Sequence, residues 1–122
     1  MVKTANPTEV LEPGDNVEFT VEVTNNSVSS DPVTIDTLVD DVHGDLNGQG
    51  DCSLAGPLII QPGDTYTCSF TAFVGGMPGD SETDTVTASG TDDEGTPVSA
   101  SDTATVDIND VPSMIEIIKT AN

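Results

Sequence analysis

Apolar and polar residues alternate strictly along most of this chain. Between positions 17 and 24, Val17, Phe19, Val21 and Val23 share one parity, while Glu18, Thr20, Glu22 and Thr24 take the other. A period of two marks a β-strand with one buried and one solvated face. Residues 33–39 and the short run 58–60 read the same way. In 65–74, Tyr66, Cys68, Phe70 and Ala72 share a face. Residues 83–89 and 98–108 complete the set, the latter with Ala100, Ala104, Val106 and Ile108 inward. Asp102 falls among those inward positions, and a β-bulge there is the expectation. Helical periodicity appears nowhere.

Turn residues separate these runs: Pro13-Gly14-Asp15, Asn25-Asn26-Ser27, Gly48-Gln49-Gly50, Pro62-Gly63-Asp64, residues 75–79 and residues 92–97. With an opening strand ahead of Pro13, the pattern predicts seven strands and the start of an eighth. Spacing of this kind predicts an all-β fold, an antiparallel immunoglobulin-like (Greek-key) sandwich of about seven strands.

The two ends carry a repeat. Lys3-Thr4-Ala5-Asn6 recurs as Lys119-Thr120-Ala121-Asn122, and each copy follows an apolar pair, Met1-Val2 or Ile117-Ile118. At this separation the match predicts a module over 1–113, with 114–122 the first strand of a successor. Such a strand must be covered, either by continuing into an adjacent repeat or by exchange into the sheet of another copy. Copies of this chain or adjacent repeats are therefore the expected partners.

Composition sharpens this picture. Apolar residues make up 34% and aromatic residues 3%, with no Trp, so the core is thin for 122 residues. A disulfide between Cys52 and Cys68 would help. About 15 intervening residues closed in a loop stabilise by roughly 3 kcal/mol in the chain-entropy model. The bond would imply an oxidising, extracellular or cell-surface location; the alternative is a pair of buried thiols. Twenty-two Asp and Glu stand against two Lys, a net charge of −20. That excludes nucleic acid and anionic membrane as partners by repulsion. No apolar run is long enough to insert into a membrane.

If the strands alternate up and down, the acidic residues gather at two ends. Glu12, Asp15, Asp40, Asp41, Asp45, Asp80, Glu82, Asp107 and Asp110 fall at the bottom, and Asp92, Asp93 and Glu94 at the top. Carboxylates so concentrated call for a counterion. Ca²⁺ accepts six to eight oxygens in forgiving geometry, backbone carbonyls such as that of Asn109 included. For any single carboxylate a solvated face is the competing reading. One His and two cysteines leave zinc and copper without their usual ligands.

Asp80-Ser81-Glu82, T-V-T-A-S-G-T-D-D-E-G and D-I-N-D-V-P resemble, in order and spacing, the calcium-ligating segments of the cadherin repeat. The resemblance spans residues 80–112 plus Glu12. It implies calcium held by Glu12, Asp80, Glu82, Asp107, Asp110 and the Asn109 carbonyl, with Asp92 serving the preceding junction. Val111 and Asn25-Asn26 depart from the cadherin pattern. Over its whole length the chain is similar to the immunoglobulin-like repeats of long bacterial surface proteins, through K-T-A-N-P, the P-G-D turns, V-T-N and T-V-T-A-S-G. That resemblance implies a stalk, adhesin or filament and no common catalytic site.

His43, the one histidine, is expected to be solvated in an acidic loop, a poor setting for a general base. Asn25-Asn26-Ser27 fits the glycosylation sequon, a frequent chance match. The expected function is a calcium-rigidified structural module of an extracellular tandem array. The alternative is a calcium-dependent binding module for a glycan or partner protein, and scarce aromatics argue against sugar stacking.

Overall fold

The computed structural model describes residues 1–27 and 30–121. The fold is all-β, with two sheets facing each other across one core. The strands are β1 (Val2–Asn6), β2 (Glu9–Leu11), β3 (Gly14–Thr24), β4 (Val33–Asp40), β5 (Gly44–Asp45), β6 (Leu58–Ile60), β7 (Thr65–Gly75), β8 (Ser81–Asp92) and β9 (Pro97–Asn109). One sheet runs β1-β3-β7. The other runs β2-β9-β8-β4-β5, with β6 also on β4.

All seven expected strands are present, and β2 and β5 are short additions. The expectation of a purely antiparallel fold needs correction, because β2 runs parallel to β9. The predicted bulge at Asp102 is absent: β8 and β9 pair without a break from Ser81↔Asp107 to Thr91↔Pro97. The irregularity lies in β4 instead, between Ile35 and Thr37. It resets the parity, so that Val33, Ile35, Leu38 and Asp40 all point inward.

The core follows the alternation. Val17, Phe19, Val21 and Val23 of β3 meet Cys68, Phe70 and Val74 of β7 on one side. Val86 and Ala88 of β8 with Ala104, Val106 and Ile108 of β9 close it from the other. Ala100, expected inward, is exposed near the start of β9.

Gly14 starts β3 with φ +137° at a point where Val74 and Gly75 backbone pass close by, so no side chain fits there. Cys52 and Cys68 form the expected disulfide, tying the long β5–β6 connection to β7. Reducing it, or replacing both cysteines with serine, is expected to lower stability by roughly 3 kcal/mol. Urea unfolding followed by circular dichroism checks this through a lower midpoint.

Residues 110–121 form no strand and are exposed, including Met114, Ile115, Ile117 and Ile118 at 77–93%. The second K-T-A-N copy lies in this segment, and its last residue, Asn122, lies outside the described residues.

Candidate functional site

The structure separates the acidic residues into three places, not two. At the bottom end, β9 delivers Asp107, Asn109 and Asp110 beside Glu12 and the Asp80 turn. The Asn109 carbonyl accepts the Glu12 amide, and Glu12 Oε1 accepts the Val111 amide at 3.2 Å. Asp80 Oδ2 accepts from Met77 N at 2.9 Å, closing the turn that leads into β8. Asp107 Oδ1 accepts from the Ser81 hydroxyl at 2.7 Å. These carboxylates share an end of the sandwich, yet no three of them converge on a point.

Glu82 does not belong with them. It has the inward parity of β8, opposite to Ser81, and turns toward His43. Asp40, Asp41 and Asp45 also lie away from the bottom. Asp40 pairs with Val86 and Asp41 N with Thr85 O, well inside β8 rather than at its start. Asp41 Oδ1 accepts from Thr85 N, extending the contact of β4 with β8, and Asp45 Oδ1 accepts from Asn47 N in a local turn. Placing all three at the bottom is corrected because β4 stops short of that end.

The top end does gather carboxylates. Asp31, Asp92, Asp93 and Glu94 each offer an oxygen, all within 4.8 Å of one another. Asp92 Oδ1 is held by the amides of Glu94 and Thr96 in the β8–β9 hairpin. The hydrogen bond to Asp93, then desolvation and the charges of Asp92 and Asp93, push the Asp31 pKa up. Asp31 Oδ1 is shielded from solvent and has no hydrogen-bond partner. Asp31 was not among the predicted ligands; the signal for it is a lone Asp-Pro step ahead of β4. Nearby Asn25 is buried, donating Nδ2 to the carbonyls of Asp31 and Ile60. That use of its amide agrees with a chance sequon.

The third place is the interior. Lys3 sits on the edge strand β1, but its side chain is fully buried between the two sheets. Its Nζ lies 2.6 Å from Asp40 Oδ2 and 3.7 Å from Asp84 Oδ2, and 4.7 Å from the centroid of the Phe19 ring. Asp40 Oδ1 accepts the amides of Val42 at 2.9 Å and His43 at 3.1 Å. Burial pushes the Asp40 carboxyl up, but Lys3 and these two amides outweigh it and hold its pKa below the usual range. Asp84 Oδ1 is buried without a partner.

His43 is packed, not solvated as expected. Its ring lies against Phe19 and Phe70, and Nε2 is 3.1 Å from Asp84 Oδ2 and 3.2 Å from Glu82 Oε2. Burial, then the neighbouring Asp84 carboxyl, push the Glu82 pKa up. Asp102 lies beside the cluster and accepts the Lys3 amide at 2.8 Å, which holds its pKa down.

Sequence reasoning missed Lys3 and Asp84. A signal was present: Lys3, Asp84 and Asp102 are charged residues on the inward parity of their strands, in step with Ala5, Val86 and Ala104. A buried charge needs a partner, and three on facing strands imply each other.

Among the described residues no helix is long and apolar enough to cross a membrane. Comparison with protein families, with characterised proteins and with solved structures finds no significant match for this chain.

Proposed function

We propose that this chain is a structural module of an extracellular tandem array, an immunoglobulin-like Greek-key sandwich that binds calcium at its acidic ends. One observation carries the reading. The K-T-A-N segment that forms β1 recurs beyond β9 as an exposed apolar stretch, residues 114–121. The first copy shows what such a segment does inside a sandwich: it pairs with β3 and sends its lysine into the core. A second sandwich, in the same chain or supplied by another copy, gives the exposed isoleucines the same cover.

Strand order supports the fold type. Apart from the short β2, the chain changes sheet between β3 and β4, between β6 and β7 and between β7 and β8, placing β1, β3 and β7 opposite β9, β8 and β4. Three strands facing three in this order support the immunoglobulin-like reading, with β6 added to the sheet of β4. The disulfide supports an oxidising, non-cytoplasmic environment.

Calcium is assigned first to Asp31, Asp92, Asp93 and Glu94. Their oxygens converge, one is buried without a donor, and four carboxylates match the hard-oxygen preference of Ca²⁺. Glu12, Asp80, Asp107, Asp110 and the Asn109 carbonyl are spread along the opposite end, where a neighbouring module would complete their coordination.

A thermal melt at fixed ionic strength tests the calcium assignment. With Ca²⁺ at about a hundred times its Kd, the folded state gains ~2.7 kcal/mol, a rise in Tm on the order of 10 °C. Asp93→Ala should remove most of that shift, and Asp107→Ala little of it in the isolated module. An equal rise with Mg²⁺ or Na⁺ would show generic screening of the −20 charge instead.

A further inference from the structure

The interior cluster contains a primary amine, a carboxyl group in contact with it and a second carboxyl beside both, all shut off from water. We infer that Lys3 and Asp40 condense within the folded protein into an amide bond joining the two sheets, with Asp84 carrying the protons.

The chemistry follows from the placement of each group. An ammonium and a carboxylate in an apolar interior have lost their hydration, and the neutral amine–acid pair, one proton transfer away, is the reactive form. Transfer of one proton across the 2.6 Å contact gives a neutral amine and a carboxylic acid. The Nζ lone pair then attacks Cγ of Asp40. Negative charge develops on Oδ1, which already faces two donors, the amides of Val42 and His43. Fixed N–H groups aimed at a developing oxyanion favour that step.

Asp84 lies 3.7 Å from the nitrogen. It removes a proton from the attacking nitrogen and returns it to Oδ2 of Asp40, which leaves as water. One N–C bond forms, one C–O bond breaks, one water departs, and Asp84 ends as it began. The net charge does not change, and no oxidant or metal is consumed. His43 acts as a positioning residue, fixing Oδ2 of Asp84, the oxygen that faces the nitrogen, and Glu82 in turn holds the His43 ring. Fixed proximity of this kind replaces an encounter with an intramolecular step.

Two features of the cluster fit this role better than a simple ion pair. Two buried aspartates share one lysine, and Asp84 Oδ1 has no donor at all. The amide N–H would supply Asp84 with a donor, and the reaction removes both the ammonium and one carboxylate from the interior. Lys3 is on β1 and Asp40 is on β4 of the opposite sheet, so the bond would close the sandwich across its width.

Intact mass spectrometry of the reduced, denatured chain tests the inference. The expected mass is one water below that of the sequence. Fragmentation should find Lys3 joined to Asp40, in a peptide that resists cleavage after Lys3. Lys3→Arg keeps the charge but lacks the amine and should show the full mass, as should Asp84→Asn, which keeps the shape but not the proton carrier. A full mass for the unaltered chain after prolonged incubation of folded protein overturns the inference. So does a water loss that survives in Lys3→Arg, and a link to Asp84 overturns the assignment of Asp40 as the acyl partner.

Discussion

Lys3→Met should destabilise the fold by at least ~3 kcal/mol, and Lys119→Met should leave it within about 0.5 kcal/mol of the parent. The two lysines sit in identical K-T-A-N segments, so local sequence cannot distinguish them. Their surroundings do. Lys3 is buried with its ammonium between Asp40 and Asp84, whereas Lys119 is exposed. Removing one partner of a buried pair leaves the remaining charge uncompensated in low dielectric, at a cost of about 3–5 kcal/mol. Here two carboxylates would be stranded together, and any covalent tie through Lys3 would be lost with them. Urea denaturation gives the comparison directly, as a lower midpoint with an unchanged slope for Lys3→Met alone. Equal effects at the two positions would show that the interior cluster contributes nothing to stability.

The second large effect is expected at Phe19. Phe19→Ala should lose about 3–5 kcal/mol, the range for truncating a large buried aromatic side chain. Its ring is fully buried, lies 5.3 Å from Phe70 and 5.4 Å from His43 by centroid, and roofs the Lys3 ammonium. With only three Phe and one Tyr in the chain, Phe70 is the one large ring packed on Phe19 besides the His43 imidazole. Phe73→Ala is the control: Phe73 is 60% exposed, on the outward parity of β7. A small change there beside a large one at Phe19 would follow from burial. Thermal unfolding of the two variants, with Tm values compared at matched salt, is the measurement. A Phe19→Ala variant as stable as Phe73→Ala would mean that the core repacks freely around the missing ring.

The cluster around Lys3 gives these two residues a joint meaning. Phe19 covers the ammonium, and Lys3 gives the two aspartates a reason to be buried. Because charged groups are retained in so thin a core, the interior is specified by chemistry as well as by apolar volume. An exposed acidic surface repels other copies at short range, while the exposed 114–121 segment provides apolar surface for association. The proposed calcium ends would offset that repulsion where modules meet.

Much of the fold was legible because β-strands report themselves in two-residue alternation. Val17, Phe19, Val21 and Val23 announced both the strand and its buried face, and Cys52 and Cys68 were legible as a candidate pair that the structure joins. The turns were legible for the same local reason, since Gly, Pro, Asn and Asp favour them through their own backbone preferences. Less was legible wherever partners come from distant parts of the chain. β2 and β5 are too short to show a period, and the parallel run of β2 along β9 depends on where the sheet edge lies. Asp40, Asp41 and Asp45 were placed at the wrong level because strand order alone does not say where β4 ends against β8. Glu82 was placed at the bottom end with Asp80, although parity puts it on the face of Asp84.

The amino-acid sequence by itself determined which residues alternate, where the chain turns, how acidic the surface is and that one segment occurs twice. These are properties of a residue and its near neighbours. Only the tertiary structure decided that Lys3 meets Asp40 and Asp84, that His43 is packed between them and Phe19, and that Asp31 joins Asp92, Asp93 and Glu94. Each of those meetings needs two sheets brought face to face or two loops brought to one end. The energy of a charge depends on its distance to a partner and on the dielectric around both, and neither quantity exists until the chain has folded.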